Sequence, residues 1–461
     1  MSAEPKSKNY PEATNEWKTP DGEFFWGSAQ QVKNDPLNFY LQAQRQNGDY
    51  LKLKAMLGFE WYFLTNPTAV EHVLQTNQKN FRKPDLFMKP ASLMLGSGLL
   101  TSEGSFWVKH RRLSQPAFHR NSIAKLASTV VECSEKMLSR WDNMPDGSVV
   151  DLQHEMVQLT LSVAGRALFS IDLAEHATDV GRAVREAFAI VNAKMFAYPL
   201  LLPLWVPTSE HQQFKQSKGI MDSVFTKIIT ERRKDPDEHN DLLGMLMSAR
   251  DEETGAGMTD DELKDEVVTL LIAGHDTVAA ALSWTWILLS QNPHVMAQLH
   301  DELKAELDGR SPALSDLEHL PYARMIFDES LRLYPPAWGQ PRQAIEDDLI
   351  DGYLLPKNAI VSLSQWVTHR HAELWDKPDV FDPERFTPDK IKARPKFAYF
   401  PFGGGSRVCI GQSFALMEAQ LAIATIGQRY QIDLVAGQSI VPDPTFTLIP
   451  KGKISATLRR R

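Results

Sequence analysis

At 461 residues the chain has room for up to three domains of about 150 residues, or for one unusually large one. Its 43% hydrophobic and 23% charged composition is that of an ordinary globular protein, and 50 Lys and Arg against 58 Asp and Glu give a net charge of −8, without the basic excess of a general nucleic-acid binder. Two cysteines, Cys133 and Cys409, exclude a disulfide scaffold and every multi-cysteine zinc or iron–sulfur site, while leaving room for a lone cysteine ligand.

The first 25 or so residues are polar and predict a loosely ordered arm. They contain no apolar run of the kind a signal peptide or anchor needs, so a cytoplasmic location is expected. Residues 26–461 read as one continuous domain. Strand-like runs at 50–54, 60–65, 359–363 and near 446–457 are each bounded by Gly, Pro or Asn, whereas helical periodicity dominates from about 120 to 335. The expected fold class is mainly α with a small β region. Phe196 to Val206 carries no charge and is too short and too broken by proline to span a bilayer, which leaves a hydrophobic lid or a peripheral membrane contact.

The most informative helix starts at Thr259, where Thr259-Asp-Asp-Glu262 has the form of a capping box and the acidic first turn suits the helix dipole. It is predicted to run to about Asn292, roughly 48 Å at 1.5 Å per residue. Val267 to Leu289 is apolar apart from His275 and Asp276. An Asp at a bilayer centre costs about 2.5–3.5 kcal/mol, and the acidic flanks supply no positive anchor, so a helix buried through a protein core fits better than a membrane span. Within it, Ala273-Gly274-His275-Asp276-Thr277 is anomalous, because Gly costs about 1 kcal/mol relative to Ala in a helix interior and a carboxylate is costly in an apolar core. Two readings stand: a groove in the helix wall with an acid and a hydroxyl for proton transfer, or a kink with a satisfied polar pair.

Further along, Glu329-Ser-Leu-Arg332 sets a carboxylate and a guanidinium at i and i+3 on one helix face before Pro335-Pro336 stops the helix, and Phe381-Asp-Pro-Glu-Arg385-Phe386 follows about fifty residues later. The glycine-rich run from Phe402 to Gly411 then delivers Cys409 to the start of an apolar helix predicted from Gln412 to about Ile426. A sulfur at a helix N-terminus is expected to favour the thiolate, as a nucleophile or a metal ligand. A phosphate loop does not fit, since five residues separate Gly405 from Gly411 and Gln412 stands where Lys is needed. A cysteine hydrolase stays open at this point, because 13 histidines are available as partners.

Taken together and in order, these segments resemble the cytochrome P450 superfamily of haem-thiolate monooxygenases over nearly the whole chain after residue 25. Phe402 to Gly411 matches F-x-x-G-x-R-x-C-x-G, Ala273 to Thr277 matches the central-helix A/G-G-x-D/E-T, Glu329 to Arg332 matches E-x-x-R, and Phe381 to Phe386 matches the P-E-R-F segment. Trp107-Val-Lys-His-Arg111 agrees with W-x-x-x-R.

The resemblance implies the cytochrome P450 fold, with haem b buried between the long central helix and the helix after the cysteine loop. Cys409 is then the axial iron ligand, and its thiolate pushes electron density toward the iron. Phe402 packs beside the sulfur. Trp107, Arg111, Arg342 and Arg407 answer the anionic propionates, Gly411 belongs to the ligand loop, and Ala273 and Gly274 leave space above the haem. Asp276 and Thr277 become the proton-delivery pair, while Glu329, Arg332 and Arg385 form a structural ion-pair network.

The resemblance also implies one oxygen atom inserted from O2 into an apolar substrate, with electrons from NAD(P)H passed on by a separate ferredoxin or flavodoxin, no reductase being fused to the chain. Lys109, Arg112, Lys390, Lys392, Arg394 and Lys396 are the candidates for a basic docking face. The pocket is expected near Phe87, Leu95, Phe196, Ala337, Trp338 and Leu448, whose apolar character favours a fatty acid, with a terpenoid or steroid-type hydroxylase or epoxidase as the alternative. A peroxide-driven haem enzyme and a non-catalytic haem sensor are the rivals of another class, and the expected state is a monomer that binds no nucleic acid.

Overall fold

The computed structural model describes residues 13–20, 28–54, 59–173, 206–234, 241–251 and 253–461. Phe196 and the rest of the apolar stretch up to residue 205 lie outside the described residues. The chain forms two compact bodies. The first comprises residues 1–84, 338–378 and 394–408, and the second comprises 85–337, 379–393 and 409–461.

The first body is built on a five-stranded sheet in the order Tyr50–Lys54, Glu60–Leu64, Ile360–Leu363, Gln340–Ala344, Phe81–Arg82. Strands 50–54 and 60–64 pair antiparallel with Tyr50 opposite Leu64, and Glu60–Leu64 runs parallel to Ile360–Leu363. Leu64, Val70, Leu74, Val361, Leu363 and Phe400 are among the buried residues of its core. Each fully buried aliphatic side chain contributes about 1.5–3 kcal/mol. The described part of the N-terminal arm is not loose: Trp17 donates to the Leu354 carbonyl at 2.7 Å, packs edge-on against Tyr62 at 4.7 Å, and Lys18 bridges Leu51. A lone Trp in a polar segment finds an apolar seat and a carbonyl acceptor, which together outweigh the entropy of the arm.

The second body is helical. Its longest element is the central helix Asp260–Gln291, and both bonds of the predicted capping box are present: Glu262 N–H to Thr259 Oγ1 at 3.2 Å and Thr259 N–H to Glu262 Oε2 at 2.8 Å. The helix is long and apolar enough to cross a membrane, but 78% of its most apolar window is buried inside the protein. It packs against the helix Leu152–Phe169. The cysteine helix, Gln412–Gly427, packs against Ala127–Asp142, and it is buried over almost all of its length from Phe414 onward. A small sheet, Val149–Asp151, Ser455–Arg460, Tyr430–Leu434, and the hairpin Pro442–Pro444 with Leu448–Pro450 complete this body.

Candidate active site

The anomalous segment of the central helix proves to be the interruption of its burial. Leu270 to Ile272 and Val278 to Leu289 are buried without a break, whereas Ala273 is exposed and Gly274, Asp276 and Thr277 are only partly covered. A Cβ built on Gly274 would have no heavy atom within 4 Å, so this glycine does not serve a tight helix crossing. The helix wall is uncovered here, and both polar side chains of the segment have partners. Thr277 and Asp276 are not bonded to one another. The Thr277 hydroxyl donates to the Ala273 carbonyl at 2.7 Å, while Asp276 Oδ2 accepts from Thr447 Oγ1 at 2.5 Å.

Cys409 stands immediately before the cysteine helix, on the same body as the central helix. Protein surrounds its sulfur closely, yet the side chain remains reachable from open space, as expected of a group facing a cleft. The helix N-terminus does act on it, since the N–H groups of Gly411 and Gln412 and the charge of Arg111 all favour the thiolate. Burial outweighs them and raises the thiol above its ordinary pKa, contrary to the thiolate expected from the helix end alone.

Trp107 and Arg111 lie one turn apart on the helix Gly104–Ser114, the first buried and the second half-buried. In the first body, Arg342 and Arg407 line one small cleft together with Gly404 and Gln78. Two guanidinium groups converging on one cleft suit a pair of carboxylates. The residues of the second body fit haem: an accessible sulfur with N–H donors aimed at it, the charge of Arg111 acting on it, and a helix wall left uncovered at Gly274. Phe402 is half-buried in the first body. Gly405 adopts φ +66°, and its Cβ would stand 1.8 Å from the Leu74 carbonyl oxygen, so this glycine lets the loop dock on its own protein rather than on a cofactor.

The predicted ion pairs form, with Glu329 and Arg332 buried and Arg385 partly covered. Arg332 donates to Glu329 through Nε at 2.6 Å and Nη2 at 2.8 Å, Arg385 Nε lies 3.4 Å from Glu329, and the Asp382 N–H donates to the same carboxylate at 2.9 Å. The segment Pro383–Phe386 is thereby fixed to the helix Pro321–Leu333.

Other sequence expectations change. Leu95 and Leu448 are fully packed rather than lining open space, Phe87 is half-buried, Ala337 is exposed, and Trp338, in the first body, is half-buried. Leu95 ends the helix Asp85–Leu95 and is turned inward because the turn that follows clamps the central helix, its carbonyl accepting from Thr269 Oγ1 at 3.5 Å while the Ser97 and Leu99 N–H groups donate to Asp265 and Glu266. The basic candidates are largely neutralised locally. Lys109 pairs with Glu262 at 3.1 Å, Arg112 with Glu253 at 2.8 Å, and Lys396 with Glu71 at 3.3 Å, while Arg394 lies 4.2 Å from the ring centre of Trp375. Lys390 and Lys392 are exposed.

Two polar residues escaped the sequence reading. Thr447 had no local signal, since its partner Asp276 is 171 positions away. Glu418, a carboxyl in the otherwise apolar cysteine helix, had one: a lone charge among apolar neighbours.

Residues 18–457 match the family model described as Cytochrome P450. The chain is 36% identical to cyclooctatin synthase of Streptomyces melanosporofaciens, covering 95% of each sequence. It is 34% identical to cyclooctat-9-en-7-ol 5-monooxygenase of the same organism, covering 88% of this chain and 87% of that one. Among solved structures, a crystal structure of the cytochrome P450DA heme domain is similar with a TM-score of 0.88 and 26% identity, covering 96% of this chain and 97% of that chain.

Proposed function

Because this chain belongs to the cytochrome P450 family and is a haem-dependent monooxygenase, we propose that its substrate is a cyclic terpenoid, hydroxylated at an unactivated carbon. The observation that carries this reading is the similarity over most of the chain to a cyclooctatin synthase and a cyclooctat-9-en-7-ol 5-monooxygenase. It reverses the preference for a fatty acid that apolar composition alone suggests. Titration of the ferric holoenzyme with cyclic terpenoid hydrocarbons and alkenols is expected to give a low-to-high-spin shift at micromolar concentration. Long-chain fatty acids are expected to give none. A shift with fatty acids only would overturn the substrate class.

Haem b supplies the activation of dioxygen, so that the substrate C–H, O2, two electrons and two protons become an alcohol and water. Cys409 would hold the iron, with the Gly411 and Gln412 N–H groups tempering its charge by hydrogen bonding. Trp107 and Arg111 would answer the propionates, a role that Arg342 and Arg407 would share. Ala273 and Gly274 keep the helix wall clear where dioxygen must sit. Thr277, whose hydroxyl donates to the Ala273 carbonyl, would hold a proton beside that opening, and Asp276 would pass protons inward from solvent. The electrons arrive from a separate ferredoxin or flavodoxin, for which the exposed Lys390 and Lys392 offer positive charge.

Thr277→Ala is expected to lower product formed per NADPH oxidised by about tenfold, with the missing electrons recovered as hydrogen peroxide. Quantifying product and peroxide against NADPH checks it, and an unchanged ratio removes Thr277 from the proton-delivery step.

A further inference from the structure

Asp276 is not free to choose its orientation. Its Oδ2 accepts a hydrogen bond of 2.5 Å from the Thr447 hydroxyl, and Thr447 is itself 5% exposed and held on both sides. Its carbonyl accepts from Thr445 Oγ1 at 2.9 Å. The next residue, Leu448, donates its N–H to the Pro336 carbonyl at 2.9 Å and accepts from Trp284 Nε1 at 2.9 Å. The Trp284 ring is stacked on Tyr334 at 3.8 Å. Asp276 and Trp284 lie eight residues apart on the same helix, about 12 Å along its axis. The hairpin Pro442–Pro444 with Leu448–Pro450 is thus bonded to the central helix at two separated points, and only one of those bonds ends on a carboxylate.

We propose that Thr447 is a positioning residue for proton delivery: its hydroxyl fixes the Asp276 carboxylate beside the open helix wall at Ala273 and Gly274, committing one oxygen and leaving the other to exchange protons. This rests on the reading of Asp276 as the proton carrier. A carboxylate at a helix surface with no donor rotates about χ1 and χ2 among several wells, so a charge-assisted bond from a rigid hairpin selects one of them. The hairpin is anchored through Leu448 to Pro336 and to Trp284, so its seating and the orientation of Asp276 become one mechanical unit. Purely structural fastening of the hairpin is the competing explanation, and the Trp284–Leu448 bond already provides it.

The test uses holoenzymes carrying Thr447→Val, Thr447→Ser, Asp276→Ala and the double change Thr447→Val with Asp276→Ala. Thr447→Val keeps the side-chain shape and removes the donor, while Thr447→Ser keeps the donor. Product per NADPH is expected to fall at least about fivefold in Thr447→Val, with peroxide rising, and to stay within twofold of the parent in Thr447→Ser. The thermal midpoint, which does not depend on turnover, is expected to drop by about 2 °C for Thr447→Val in the parent and by nothing measurable in the Asp276→Ala background. An equal drop in both backgrounds overturns the proposal, because Thr447 would then not act through Asp276. Unchanged product per NADPH in Thr447→Val overturns it as well. Asp276→Ala alone separates the two layers: if its coupling is unchanged, the proton-carrier reading fails, and the midpoints still report whether Thr447 is bonded to Asp276 in solution.

Discussion

Cys409→His is expected to abolish monooxygenation and to erase the strongly red-shifted Soret band of the dithionite-reduced, carbon monoxide-bound enzyme. An imidazole is a neutral donor, so the electron push that favours O–O cleavage disappears even where the ring still reaches the iron. The N–H groups of Gly411 and Gln412, which act on the sulfur in the native chain, would lose their anionic acceptor. The other cysteine cannot take over. Cys133 is buried at 3% exposure within the helix Ala127–Asp142, and burial pushes its thiol up to about 12. The spectrum is the decisive measurement, since it reads ligation directly. A red-shifted band surviving in haem-replete Cys409→His protein would show that the thiolate comes from elsewhere.

The second large effect concerns stability. Glu418 is 2% exposed, neither carboxyl oxygen has a hydrogen-bond partner among the described residues, and burial raises its pKa well above the ordinary carboxylate range. The folded protein therefore carries Glu418 protonated, whereas the unfolded chain releases that proton above about pH 4.3. Between these two limits the native state binds one proton more than the unfolded state, so stability must fall as pH rises, at up to about 1.4 kcal/mol per pH unit from this group. The ionisable neighbour Cys133 stays a thiol throughout this range and adds nothing to the slope.

Glu418→Gln keeps the shape and a neutral polar end without the titration. It is expected to match the parent near pH 4 and to become progressively more stable than the parent as pH rises from there toward 8, until the folded carboxyl itself ionises. Thermal midpoints of both holoenzymes across that range check it. A difference that does not change with pH would show that Glu418 is ionised in the folded protein.

What the sequence could disclose depended on how local the cause was. The capping box at Thr259 was legible because its two hydrogen bonds close within four residues, and both form. Glu329 and Arg332 were legible for the same reason, being on adjacent turns of one helix, and the Cys409 loop announced itself through the glycine spacing and the helix that follows. The purpose of Gly405 was not legible. It is set by the carbonyl of Leu74, more than three hundred residues earlier, which a methyl group would meet at 1.8 Å.

Residue type and short-range spacing thus determined the chemistry of the chain: a lone cysteine before an apolar helix, an acid and a hydroxyl in the interrupted wall of a long helix, and a buried carboxylate–guanidinium pair. The tertiary structure alone decided how those groups are held. It turned Leu95 and Leu448 into packing, consumed Lys109 and Arg112 in ion pairs, left Glu418 without a partner, and brought Thr447 to Asp276 across 171 residues. The physical reason is that hydrogen-bond satisfaction and burial are properties of neighbours in space. A sequence reports those neighbours only where a helical turn or a tight loop makes them neighbours in the chain as well.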